Sequence, residues 1–306
     1  MGRPLIEKTF RTGAIGINYA EGPDKGPSVV LLHGGSANWH DFEDLGNLFS
    51  GHWHVYIPDL RGHGKSGRVP WGYTVQEYAA DIGAFLQQVS GPAALFGHSL
   101  GGVVAVMTAS LFPVSVRALL VGDAPLDSIS WKAAMDRPDH RETQRWMRAL
   151  SGGKYTMQEV IAGIKMAWGD APDSNGQYKT LGEIYPDGDP FYEYLASRLI
   201  GHDPDVLGML LEDYETVAAG YEMDKVLPKI QCPVLLIQAD PKAGGVMTDA
   251  EVVRAMALLQ DVQHVRFTGL SHLYFWEDML RVACEMDKFV DQFARQKDAG
   301  SNERLL

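Results

Sequence analysis

Short apolar runs recur along the chain at Ile15 to Tyr19, Val29 to Leu32, Val55 to Ile57, Ala93 to Phe96, Ala118 to Val121, Val234 to Ile237 and Val262 to Phe267. Each has the length of a strand, and several end in polar turns. Between them lie Val75 to Val89, Leu100 to Leu111, Asp249 to Leu259 and Glu277 to Phe293, whose apolar residues repeat with a period of about 3.6 and so predict helices. Strands and helices in alternation imply an α/β fold: a mostly parallel central sheet with helices on both faces.

One stretch breaks the rhythm. From about Asp127 to Lys225 no buried strand is evident, while Trp131, Met135, Trp146, Met147, Met157, Ile161, Met166, Trp168, Phe191, Tyr192, Leu195, Leu210, Leu211 and Tyr214 fall at helical spacings. The pattern predicts an inserted helical cap over residues 127–225, a core domain made of residues 1–126 and 226–297, and a frayed tail over 298–306. Met and Trp residues in such a cap can serve as ordinary core or line an apolar acyl pocket.

With 306 residues, the chain is long enough for one large core carrying a cap, since single cores stop growing near ~250–300 residues. Composition is that of a globular chain, 45% hydrophobic and 22% charged, and no segment reaches the ~20 apolar residues that span a bilayer. Net charge is −12, and the Lys and Arg residues are scattered, which speaks against nucleic acid as a partner. The opening MGRPLIEKTF lacks an apolar signal core, and Ile6 stands where an N-myristoylation signal needs Ser or Thr. Cys232 and Cys284 are the only cysteines and read as two separate thiols of a reducing compartment, so a cytoplasmic protein with no membrane partner is expected.

The chemistry begins at Ala93 to Gly102, AALFGHSLGG. A short buried strand runs into Gly-His-Ser-Leu-Gly and directly into a helix, the context of a G-x-S-x-G nucleophile elbow. A serine hydroxyl is a poor nucleophile unless held at such a turn, and Gly97 and Gly101 remove the Cβ atoms that would obstruct it. The helix start directs unpaired N–H groups at any oxyanion forming on a substrate.

His33-Gly34-Gly35 after the strand Val29 to Leu32, the run PDLRGHGKS from Pro58 to Ser66, GHSLGG, and Gly269-Leu270-Ser271-His272 follow one another in this order. Together they resemble the α/β-hydrolase superfamily over nearly the whole chain. The resemblance implies Ser99 as nucleophile, His272 as its base, and the N–H groups of Gly35 and Leu100 as oxyanion hole. It makes His33 an organiser of its loop and Asp59, Arg61 and His63 an internal polar network. His98 is expected to point away from the pocket into the elbow's support, and His52, His54, His140, His202 and His264 read as surface residues.

Two residues compete for the triad acid. Most members of the superfamily place it after the strand that here is Val234 to Ile237, where this chain has Asp240 but Lys242 at the usual acid position. The other position known in the superfamily follows the strand after the nucleophile helix, where LLVGDAP puts Asp123 24 residues beyond Ser99. Asp123 is the favoured acid and Asp240 the alternative.

A serine at the elbow sets aside dehalogenase and epoxide hydrolase chemistry, which resemblance ties to Asp there. What remains is hydrolysis of a carboxylic ester, lactone or thioester of a small, moderately apolar substrate through an acyl-enzyme, with no cofactor or metal called for. Carbon–carbon or amide bond hydrolysis, acyl transfer on the same triad, and a slow-turnover ligand receptor are the alternatives.

Overall fold

The structure, a computed structural model, describes residues 5–13, 15–167, 177 and 179–294; Trp168 and the expected tail over 298–306 lie outside them. Eight strands form one sheet: β1 (Ile6–Thr12), β2 (Ile15–Glu21), β3 (Ser28–Leu32), β4 (His54–Pro58), β5 (Ala93–His98), β6 (Val116–Gly122), β7 (Val234–Ala239) and β8 (Val262–Phe267). Their order across the sheet is β1-β2-β4-β3-β5-β6-β7-β8. Only the pairs β1–β2 and β2–β4 are antiparallel; every other neighbouring pair is parallel. The seven apolar runs all become strands of this sheet. β1 is the strand the pattern did not announce, because its residues are mostly exposed and an edge strand with one solvated face carries no continuous apolar run.

Helices α1 (Glu43–Phe49), α2 (Val75–Phe85) and α3 (Leu100–Leu111) precede β6, and α12 (Asp249–Leu258), α13 (Tyr274–Glu277) and α14 (Met279–Ala294) follow β7. In α3 the first eleven residues are all buried, as a helix pressed between sheet and cap must be. One apolar layer packs α2 and α3 on one side of the sheet, with Val30, Leu95 and Leu119 facing it; the other joins Val29, Leu31 and Leu120 to α1 and α14. Alternate residues of each strand thus feed opposite cores.

Between β6 and β7 the described residues hold no strand of the sheet. They form α4 (Ser128–Met135), α5 (Pro138–Leu150), α6 (Met157–Lys165), α7 (Leu181–Ile184), α8 (Pro190–Gly201), α9 (Pro204–Glu212), α10 (Tyr214–Val217) and α11 (Met223–Val226), an inserted helical cap. Its apolar residues divide. Trp131, Met135, Met209 and Tyr214 anchor the cap in the main core, whereas Val160, Ile164, Tyr192, Ala196 and Leu199 form a small core inside the cap, with Trp146, Met147, Met157 and Ile161 against it. Among the described residues no helix is long and apolar enough to cross a membrane.

Candidate active site

The sheet order reverses between β3 and β5: the chain leaves β3 toward β4 on one side and returns to β5 on the other. In open parallel sheets the crevice beyond the carboxyl ends of such strands is where ligands bind. Pairing register brings the motif residues to that edge, since Leu32 pairs with Gly97, His98 with Gly122, Gly122 with Ile237 and Ala239 with Phe267. Gly34, Ser99, Asp123 and Asp240 all lie just past these pairs.

Ser99 sits at the bend between β5 and α3 with φ 53 and ψ −120, a backbone that a non-glycine residue keeps only where its surroundings enforce it. Its N–H donates to the Gly122 carbonyl at 3.0 Å, and its carbonyl accepts from Gly102 and Val103 at 2.8 and 3.1 Å. The flanking glycines are steric necessities: a Cβ on Gly97 would stand 2.1 Å from the Gly101 carbonyl oxygen, and one on Gly101 would stand 2.3 Å from that of Leu32.

The His33-Gly34-Gly35 loop lies against the elbow. A Cβ on Gly34 would fall 3.3 Å from Ser99 Cβ, and one on Gly35 would fall 3.9 Å from Leu100 Cβ. Leu100 opens α3, where first-turn N–H groups lack intrahelical partners. His33 is fully buried; its Nδ1–H donates to the Gly34 carbonyl at 2.8 Å and its Nε2 accepts from Leu60 N–H at 3.0 Å. Burial pulls this ring down to about 3, so it is a neutral loop organiser.

His272 follows β8 and keeps its side chain 26% exposed, whereas the Asp123 side chain is fully enclosed. His272 Nδ1 lies 2.7 Å from Asp123 Oδ2. Asp123 accepts three backbone donors besides: Ala239 N–H at 3.2 Å and Met247 N–H at 3.1 Å on Oδ1, and Val246 N–H at 2.9 Å on Oδ2. Its backbone is left-handed at φ 38. Asp240 is engaged elsewhere. It accepts from Gly269 N–H at 2.9 Å and Lys242 N–H at 3.0 Å, and faces Arg266 Nη2 at 3.4 Å; the Gly269 and Lys242 N–H groups hold its carboxyl below the usual range. The structure thus joins His272 to Asp123 and uses Asp240 to pin the loop that carries His272.

His98 Nε2–H donates to the His272 carbonyl at 2.9 Å, and the two rings lie 4.5 Å apart between centroids. As the residue before Ser99, His98 thereby ties the loop of the imidazole to the elbow from behind, and burial keeps it well below its ordinary value. Among the described residues no hydrogen bond of normal length joins Ser99 Oγ to His272; such bonds commonly tighten only once substrate is bound.

Asp59, Arg61 and His63 form the buried polar support expected of them. Asp59 accepts from Asn18 Nδ2, Trp39 N–H and Lys65 N–H, Arg61 forks onto Asp81, and His63 Nδ1–H donates to the Arg61 carbonyl. His202 corrects the sequence reading: it is fully buried, with its ring 4.6 Å from that of His63, because the end of α8 closes over the Arg61 to Lys65 loop. Tyr274 and Arg198 went unmarked in the sequence. Tyr274 stacks on Phe267 at 5.5 Å behind Asp123, and Arg198 reaches Ser36 from 162 residues away; neither sits in a motif.

The sequence profile of the alpha/beta hydrolase family matches residues 29–285. The chain belongs to this family. This hydrolase is 41% identical over 217 residues to a pimeloyl-[acyl-carrier protein] methyl ester esterase of Neisseria meningitidis, a match covering 70% of this chain and 75% of that one. It is 34% identical over 120 residues to a 2-(acetamidomethylene)succinate hydrolase of Mesorhizobium japonicum, a match that spans 39% of this chain and 43% of that enzyme. Among solved structures, E-2-(acetamidomethylene)succinate hydrolase superposes with a TM-score of 0.71 at 20% identity, covering 94% of this chain and 99% of that one. A carboxylesterase from Bacillus subtilis gives 0.69 at 20% identity over 94% and 92% of the two chains. Family and architecture together make the protein an α/β-hydrolase-type enzyme.

Proposed function

We propose that this hydrolase cleaves a carboxylic ester, lactone or thioester of a small, moderately apolar substrate through an acyl-enzyme on Ser99. The observation that carries the reading is the 2.7 Å contact of His272 Nδ1 with Asp123: it fixes the ring tautomer and leaves Nε2 as the base, in a loop that His98 ties to the elbow. His272 Nε2 takes the Ser99 proton as Oγ attacks the acyl carbon, and Asp123 stabilises the imidazolium. The N–H groups of Gly35 and Leu100 receive the oxyanion. The imidazolium then protonates the leaving alkoxide, and water, deprotonated by His272, releases the acid and frees Ser99. In this reading Asp240 is a loop clip, residues 127–225 act as a lid on the core of 1–126 and 226–297, and the enzyme works in the cytoplasm, in keeping with two thiols that are not joined as a disulfide.

Likeness to a methyl ester esterase over most of its length favours an ester. Likeness to a hydrolase named for 2-(acetamidomethylene)succinate, in sequence and in fold, motivates a second reading in which the same triad opens an amide or carbon–carbon bond. Both are tested together. The wild type is expected to gain one fluorophosphonate adduct by intact mass, lost in Ser99→Ala, and to turn over short p-nitrophenyl esters faster than matched anilides. No adduct after long incubation would sink the acyl-enzyme; faster anilide turnover would move the choice to the second reading.

A further inference from the structure

Ser36 closes the loop that starts at His33, and its backbone is left-handed at φ 55, a conformation kept only where neighbours enforce it. Its carbonyl accepts a 3.0 Å hydrogen bond from Nε–H of Arg198 on cap helix α8. The same guanidinium places Nη2 3.3 Å from Asp41 Oδ2 and lies over the rings of Tyr194 and Trp276, 5.1 and 5.8 Å from their centroids. The Tyr194 hydroxyl donates to Asp41 in turn. Little of this is solvated: the side chains of Arg198 and Asp41 are 12% and 4% exposed.

A guanidinium bonded through Nε and Nη2 and packed against two aromatic rings is restricted in orientation, and its rigid plane passes that restriction to whatever it binds. Here that is the peptide one residue beyond Gly35. The direction of the Gly35 N–H depends on the torsions from Gly34 to Ser36, and two glycines offer no steric resistance to drift. Within the loop, the buried His33 ring holds the Gly34 carbonyl, which shares its peptide plane with the Gly35 N–H; the cap supplies the second hold, at Ser36.

We propose that Arg198 is a positioning residue for the oxyanion hole, locking the Ser36 end of the Gly34-Gly35-Ser36 loop as His33 locks the other, so that the hole is held at both ends only while α8 is docked. The inference rests on the acyl-enzyme reading of Ser99. It makes cap closure a condition of transition-state stabilisation, and it separates the Arg198 fork, which sets the loop, from Asp41 and Tyr194, which set the fork.

The test compares wild type, Arg198→Ala and Arg198→Lys on p-nitrophenyl acetate and on the corresponding thionoester, whose sulfur is poorly held by an oxyanion hole. Losing one oxyanion donor costs about 10²- to 10³-fold in kcat, so loosening one is expected to lower kcat about 30- to 100-fold with KM nearly unchanged. The ester-to-thionoester rate ratio should fall along with it, which a mere loss of folded protein would not produce. Arg198→Lys keeps a cation beside Asp41 and guards against misfolding; lacking the fork, it should lose kcat and rate ratio as Arg198→Ala does. Wild-type kcat and rate ratio in Arg198→Lys would overturn the inference alone. A wild type that is neither labelled by fluorophosphonate nor active on esters would overturn the acyl-enzyme reading, and this inference with it.

Discussion

His272 and Asp123 meet at 2.7 Å across 149 residues of sequence, and the carboxylate they share with three backbone N–H donors is fully enclosed. Both candidate acids are buried, but only Asp123 contacts the imidazole, while Asp240 accepts from Gly269 and Lys242, and our reading makes Asp123 the orienting carboxylate. Asp123→Asn should therefore lower kcat by about 10³- to 10⁴-fold, the scale of losing the acid of a serine triad. Asp240→Asn, which only loosens the loop, should cost about tenfold or less. Steady-state kinetics on one ester, with circular dichroism to establish folding, checks both; the opposite order would reassign the acid.

His98 is expected to matter for rate although it points away from the substrate side. Its Nε2–H holds the His272 carbonyl, and His98→Phe would leave that carbonyl unpaired and let the imidazole drift. Displacements of about 1 Å cost up to about 100-fold in rate. We expect kcat to fall by about 10- to 100-fold with KM little altered, measured on the same ester; an unchanged kcat would show that the loop needs no such tie.

The elbow glycines are predicted to be matters of folding first. A Cβ on Gly101 would lie 2.3 and 2.5 Å from the carbonyl oxygens of Leu32 and His33, so β3 and α3 must separate to admit it. Gly101→Ala should destabilise by about 3 kcal/mol, the upper part of the usual overpacking range. Urea unfolding reads this as a lower midpoint at constant slope, and a midpoint equal to the wild type's would mean that the helix shifts at no cost.

Acid stability carries its own signature. His33 and His63 are buried, and burial pulls both from 6.5 down to about 3. Between those limits the unfolded chain binds protons that the folded chain does not. Their contribution is therefore intact above about pH 6.5 and is lost as pH falls toward about 3, by up to about 1.4 kcal/mol per pH unit for each ring. Unfolding free energies measured from pH 7 to pH 4.5 should fall steeply, and His63→Gln should flatten the slope by about one proton. An unchanged slope in that variant would mean that His63 takes up its proton in the folded state.

The sequence by itself determined what depends on local patterning. Apolar runs of strand length named seven of the eight strands, and the glycines around Ser99 marked the elbow, because a strand-to-helix bend that tight has few local solutions. The loss of alternation after Asp127 announced the cap. Only the tertiary structure shows which of Asp123 and Asp240 meets the His272 ring, since both follow strands at the same sheet edge and the difference lies in which one the His272 loop descends upon. It likewise buried His202 and brought Arg198 to Ser36. Those contacts span from 139 residues, between the paired rings of His63 and His202, to 162 between Arg198 and Ser36, and a side chain recruited over such separation carries no mark in its neighbours along the chain, because its role is set by packing of the cap on the sheet.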